Sequence, residues 1–211
     1  MKSQRSLVKK SVAPKTEQPI LHFETEKEWD AWLSKQPSSS SGIWLRLHKK
    51  GSPSLHDESL NYAQALEVAL CYGWIDSQKK SEEAHTWLQK FTPRGPRSLW
   101  SKVNRQKVLL LQKQGRMKPA GLAEIERAKK NGLWQAAYDS PSTAKPCLEF
   151  QKALQKSPLA ATFFKTLPSS HRYSFLFRLQ TVKKAETKSK KIKEFVEMLE
   201  KGETIHLFHQ K

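Results

Sequence analysis

The chain has 211 residues, with 38 Lys and Arg against 20 Asp and Glu, for a formal net charge of +18. That length holds one domain or two small ones with a real core, and the 37% of hydrophobic residues, rich in Trp, Phe and Leu, exclude a chain unfolded throughout. No apolar run reaches the roughly 18 residues of a membrane span, and two cysteines make neither a disulfide framework nor a metal cluster, which excludes porins, secreted knottins, zinc fingers and thiol oxidoreductases.

Lys2, Arg5, Lys9, Lys10 and Lys15 fall among scattered Ser and Pro with no apolar period, so residues 1–19 are expected to form a disordered basic arm. The same stretch lacks the apolar segment of a secretory signal, and a cytoplasmic location is expected. Thr25 and Glu28 fit a capping box, with Trp29, Trp32 and Leu33 behind it at helical spacing, and Pro37 closes that helix. Ile43, Leu45 and Leu47 alternate with Trp44, Arg46 and His48, the period of a strand with one apolar face. Asn61 and Gln64 open a helix lined by Ala65, Leu66, Ala69 and Leu70, and Gly73 ends it. Trp74 to Lys80 and His85 to Thr92 read as two strands of a hairpin joined by Ser81 to Ala84.

From Ser98 onward only helices are expected. Ser98 is read as the N-cap of a helix through Leu111 stopped by Gly115, and Pro119 as the first residue of the next, which ends at Gly132. Residues 139–146 read as a linker. Four helical segments follow: Cys147 to Lys156, one opened by Ser157-Pro158 and closed by Pro168, one carrying Tyr173, Leu176, Phe177 and Gln180, and one carrying Ile192, Phe195, Val196 and Leu199 before Gly202. The class is α+β: a small antiparallel sheet with packed helices in an α+β domain over 20–138, followed by an all-helical unit over 147–203.

The stretch from Trp74 to Asn104 is the richest in chemistry. Strand alternation places Trp74 and Asp76 on one face. Arg94 and Arg97 come just before the expected helix start at Ser98, followed by Trp100, Ser101 and Asn104. A helix N-terminus beside two guanidiniums suits a phosphate or carboxylate, and Trp74, Trp87 and Trp100 suit a stacking wall for a ring. The same indoles also fit a core, and the arginines also fit pairing with Glu82 or Glu83. Asp76 is the one carboxylate nominated as a general base or ligand anchor. Cys71 reads as a small core residue. The histidines are dispersed, the closest pair being His206 and His209, so no metal site and no cofactor are expected. Residues 79–118 hold eleven Lys and Arg against two Glu, and residues 183–193 hold six Lys against one Glu. Such runs attract polyanions in a salt-dependent way, although no helix-turn-helix, RRM or KH pattern accompanies them.

Several of these segments carry a resemblance. GWIDS at 73–77, FTPR at 91–94, SLWSKVN at 98–104, GRMKPAG at 115–121, AET at 185–187 and I-x-x-F-V-x-M-L-x-x-G at 192–202 resemble the YdeI/OmpD-associated family of bacterial proteins. Residues 147–203 are similar to its bacteriocin-protection, YdeI or OmpD-associated domain, with Lys188 standing where many relatives carry Arg. The resemblance implies a cytosolic bacterial protein of α+β type and a link to bacteriocin protection or to the porin OmpD; it supplies no catalytic residues. The expected function is binding of an anionic small molecule, a nucleotide or sugar phosphate, with Trp74, Asp76, Arg94, Arg97, Ser98, Trp100, Ser101 and Asn104 as its site. The alternatives are a nucleic-acid-associated basic protein and an enzyme with Asp76 as general base.

Overall fold

The computed structural model describes residues 17–53 and 59–205. The arm expected over residues 1–19 falls outside them for its first 16 positions, as do His206 and His209. The chain divides into two compact units, one of Met1–Ala69 with Trp74–Pro93 and one of Leu70–Gly73 with Arg94–Lys211.

The first unit is built on β1 (Ile20–His22), β2 (Ile43–His48), β3 (Trp74–Ser81) and β4 (Thr86–Pro93), in the order β1-β2-β4-β3. The β2–β4 and β3–β4 pairs are antiparallel, as expected, but β1 pairs parallel to β2, which makes the sheet mixed. A strand of three residues is too short to show a period, so β1 left no trace in the sequence pattern. Ile43, Leu45 and Leu47 are buried as the alternation requires.

Helices α1 (Glu26–Leu33) and α2 (Tyr62–Cys71) are both opened by boxes legible in the sequence. The Glu28 amide donates to Thr25 Oγ1 at 3.3 Å, and Glu28 Oε2 reaches back to accept the Glu24 amide at 2.9 Å. Asn61 and Gln64 exchange the same pair of bonds at 3.0 and 3.1 Å. Each box satisfies amides that a helix start leaves without intrahelical partners. Trp29 is fully buried; it packs on Phe91 and donates from Nε1 to the Ala65 carbonyl at 3.0 Å, joining α1, α2 and the sheet.

The β3–β4 ladder slips between Asp76 and Lys79, and the Gln89 amide, buried on β4, donates to the Gln78 carbonyl at 3.0 Å. One side chain thereby satisfies a backbone group that the bulge takes out of the ladder. The loop joining β3 to β4 is tied to β2: Arg46 grips Glu82 through two bonds of 2.6 and 2.8 Å, Thr86 Oγ1 donates to the same carboxylate, and Lys49 Nζ donates to the Glu83 and Ala84 carbonyls. The Arg46 hydrogen bonds hold the Glu82 carboxyl below the usual glutamate range, against the opposing effect of burial.

In the second unit α3 (Lys102–Lys113) and α4 (Pro119–Lys130) precede a four-helix region of α5 (Leu148–Gln155), α6 (Pro158–Thr166), α7 (Ser169–Gln180) and α8 (Ala185–Glu200). Pro119 and Pro158 occupy the first turns expected of them, and Ser157 Oγ accepts the Ala160 amide at 3.3 Å. The core of the four-helix region is a run of edge-on phenyl contacts, Phe150 to Phe164, Phe164 to Phe175 and Phe175 to Phe195, with centroids 5.1–6.2 Å apart. Ile192, Phe195 and Leu199, spaced three and four apart, form the buried stripe of α8.

Glycine decides how closely α4 meets the segment after α2. A Cβ on Gly121 would stand 2.2 Å from the Cys71 carbonyl oxygen, and one on Gly73, whose φ is +74°, would stand 2.7 Å from Glu124 Cγ. The Lys118 amide donates to that Cys71 carbonyl at 3.1 Å. Both positions admit only hydrogen where a side chain would begin.

Candidate functional site

The segment between β4 and α3 folds differently from the expectation. Gly95 to Ser98 make a tight turn with Pro96 at its second position: the Ser98 amide donates to the Gly95 carbonyl, and Ser98 Oγ accepts the Gly95 amide, both at 3.0 Å. Ser98 therefore caps no helix. The N-cap is Ser101, whose Oγ accepts the Asn104 amide at 3.0 Å, and α3 starts three residues later than the sequence reading placed it. The delay has a cause. Trp100 and Ser101 stay extended because they pair with Tyr138: the Tyr138 amide donates to the Trp100 carbonyl at 3.0 Å, and the Lys102 amide to the Tyr138 carbonyl at 2.8 Å. Lys102 Nζ then pairs with Asp139 at 2.7 Å.

Arg94, though cationic, is only 5% exposed. Its guanidinium lies over the Trp100 indole, Cζ 3.6 Å from the ring centroid, and Nη1 donates to the Leu99 carbonyl at 3.2 Å. Trp100 meets Trp134 edge to face at 5.2 Å, and Arg105 covers Trp134 at 4.9 Å. Guanidinium and indole thus alternate through four side chains, a stack held by the attraction of cations to ring faces. Arg127 donates to the Arg94 carbonyl at 3.0 Å and pairs with Glu124, one turn away on α4. Burial raises the Glu124 carboxyl above its ordinary value, and the charges of Arg127 and Arg94 oppose the rise. The cleft among Arg94, Ser98, Trp100, Glu124 and Arg127 leaves no room for a water-sized guest.

Beside it lies a larger hollow of about 400 Å³, lined by Pro96, Arg97, Leu99, Asn131, Leu133 and Lys183. Asn131 holds its rim: Nδ2 donates to the Pro96 carbonyl at 3.3 Å, and Oδ1 accepts the Leu133 amide at 3.1 Å. Arg97 is exposed there, and Lys183 stands two residues before α8. No carboxylate is among the lining residues.

The eight nominated residues therefore separate by role. Trp74 and Asp76 belong to the first unit, and the other six to the second. Trp74 is buried against Trp32, and Asp76 Oδ2 accepts the Tyr62 hydroxyl at 2.8 Å. Arg94 and Trp100 are internal, Ser101 and Asn104 close the start of α3, and Arg97 alone of the eight lines the larger hollow. Asn131, Leu133 and Lys183 were missed. Lys183 begins the lysine-rich run noted in the sequence, but nothing in the pattern joins that run to Arg97. Among the described residues no group of three or more His, Cys, Asp or Glu is arranged to hold a metal ion, and no helix is long and apolar enough to cross a membrane.

Residues 148–202 match the family model described as bacteriocin-protection, YdeI or OmpD-associated. The chain carries a YdeI/OmpD-associated domain. That domain takes in α5 to α8 with their phenylalanine core, and Lys183 lies inside it. Residues 21–124, which include Arg97, match a domain of unknown function (DUF8412). No curated protein and no solved structure matches the chain. The hollow is thus lined by residues of the YdeI/OmpD-associated domain, of the preceding matched region, and of the stretch that joins them.

Proposed function

We propose that the protein binds a small anionic molecule, a sugar phosphate or nucleotide, in the hollow between Arg97 and Lys183. The observation that carries this reading is the composition of its wall. Two cations of different chemistry face a space of about 400 Å³, Leu99, Leu133 and Pro96 supply apolar surface, and Asn131 supplies an amide at the rim. That volume lies within the roughly 300–1,000 Å³ of small-molecule sites. Arg97 offers a planar fork suited to two oxygens of one phosphate, and Lys183 a compact charge able to meet a second oxygen. The leucines suit the apolar face of a sugar or base. Arg94 then acts from beneath, fixing the Leu99–Trp100 backbone rather than touching the guest. The family name of the C-terminal domain sets this binding in bacteriocin protection, and the free thiols of Cys71 and Cys147 are compatible with the cytoplasm.

The test is calorimetric titration of a panel of sugar phosphates and nucleotides. Loss of one charge-assisted bond costs about 1.5–3 kcal/mol, so Arg97→Ala and Lys183→Ala should each weaken the best binder by roughly ten- to a hundredfold. Unchanged affinity in both variants removes the hollow from the reading. The charge runs over 79–118 and 183–193 favour a second reading, association with nucleic acid. It requires a steep fall of affinity with salt for any sequence tested.

A further inference from the structure

Helix α3 presents an outer face that the anion hollow does not use. Its inward residues are Asn104, Val108 and Leu111. On the opposite side Leu109 and Leu110 are 50% and 56% exposed and Val103 is 42% exposed, around the solvent-facing Gln106 and Lys113. Single exposed leucines are ordinary, but three aliphatic side chains on one face of a 12-residue helix make a connected patch. The charge around the patch has one sign. No Asp or Glu occurs between Glu83 and Glu124, whereas Lys102, Arg105, Lys107, Lys113, Arg116 and Lys118 fall in α3 and the turn after it. Asp139 offsets Lys102, which leaves the face strongly cationic.

This combination selects the partner. A second copy of the chain would bring the same cations together across a two-fold axis, and like charges oppose that contact. A nucleic acid would meet the cations, but valine and leucine neither stack on bases nor hydrogen-bond to them, so the apolar half of the face would go unused. An anionic bilayer satisfies both halves. We infer that α3 is a membrane-docking helix, lying in the plane of an anionic lipid surface with Leu109, Leu110 and Val103 in the interfacial layer and the surrounding Lys and Arg at lipid phosphates. At about 1.5 Å per residue the helix is far too short to span a bilayer and suits a surface position.

Co-sedimentation of the full chain with vesicles tests this, using phosphatidylcholine mixed with phosphatidylglycerol against phosphatidylcholine alone. Binding should require phosphatidylglycerol and weaken as salt rises. The Leu109→Ser/Leu110→Ser variant should lose about tenfold or more in partitioning while keeping its helical circular dichroism. Gln106→Leu, which extends the apolar face, should gain severalfold, a result that misfolding cannot imitate. Equal binding by wild type and the double-serine variant, no gain from Gln106→Leu, or equal binding to phosphatidylcholine alone would each overturn the inference. So would a vesicle-free dimer that the two serines abolish.

Discussion

Gly121→Ala separates local helix preference from tertiary contact, because the two predict opposite signs. Gly121 is inside α4, where alanine in place of glycine favours a free helix by about 1 kcal/mol. In the folded chain the new methyl would lie 2.2 Å from the Cys71 oxygen and 2.8 Å from both the Cys71 carbonyl carbon and Met117 Cε. The methionine can swing aside, but the backbone cannot, so α4 must retreat by about 1 Å to restore ordinary contact. Retreat stretches the 3.1 Å bond from the Lys118 amide to that carbonyl, which contributes about 0.5–1.5 kcal/mol. Overpacking of this kind costs about 1–3 kcal/mol, and the sum against the helix gain is a net loss of roughly 1–3 kcal/mol. Urea unfolding followed by circular dichroism, with amide exchange read along α4, measures it. A variant of unchanged or increased stability refutes the close approach of α4 to Cys71.

Two titrations probe other contacts. Glu82 has its folded pKa held down by the Arg46 hydrogen bonds, so the stability it contributes is present above the ordinary glutamate value and is lost as pH falls through the folded one; Glu82→Gln should flatten that acid limb of the stability profile, and an identical limb in the variant counts against the pair. Burial, reinforced by the neighbouring Tyr138 and Asp139, pushes the Tyr173 hydroxyl from 10.0 up to about 12 while it donates to the Asp139 carbonyl. Its stabilisation is therefore full below the ordinary phenol range and fades as pH rises toward 12, and Tyr173→Phe should remove the last-titrating phenolate from the ultraviolet titration.

Much of the fold was legible because its signals are local. The boxes at Thr25/Glu28 and Asn61/Gln64, Pro158 after Ser157, and the alternation from Ile43 to His48 each lie within a few residues. The start of α3 was misread because Ser98 and Ser101 are equally good caps in sequence. The choice between them is made by Tyr138, a residue far along the chain that draws Trp100 and Ser101 into an extended pairing. The anion hollow was only partly legible for the same reason, since Arg97 and Lys183 meet through the tertiary structure alone. Arg94 illustrates a second limit: pattern reading treats arginine as a surface cation, whereas an indole beneath and a carbonyl beside it keep this one inside.

The alternating stack of Arg94, Trp100, Trp134 and Arg105 also endows the molecule with an internal optical gauge. Two indoles fixed 5.2 Å apart at 65° have transition dipoles close enough to couple, and such a pair gives a split circular-dichroism band that neither ring shows by itself. Leu99 and Leu133, on the wall of the hollow, are the covalent neighbours of these two rings. A guest that displaces either leucine would therefore retune the splitting, so occupancy could be followed on the unlabelled protein.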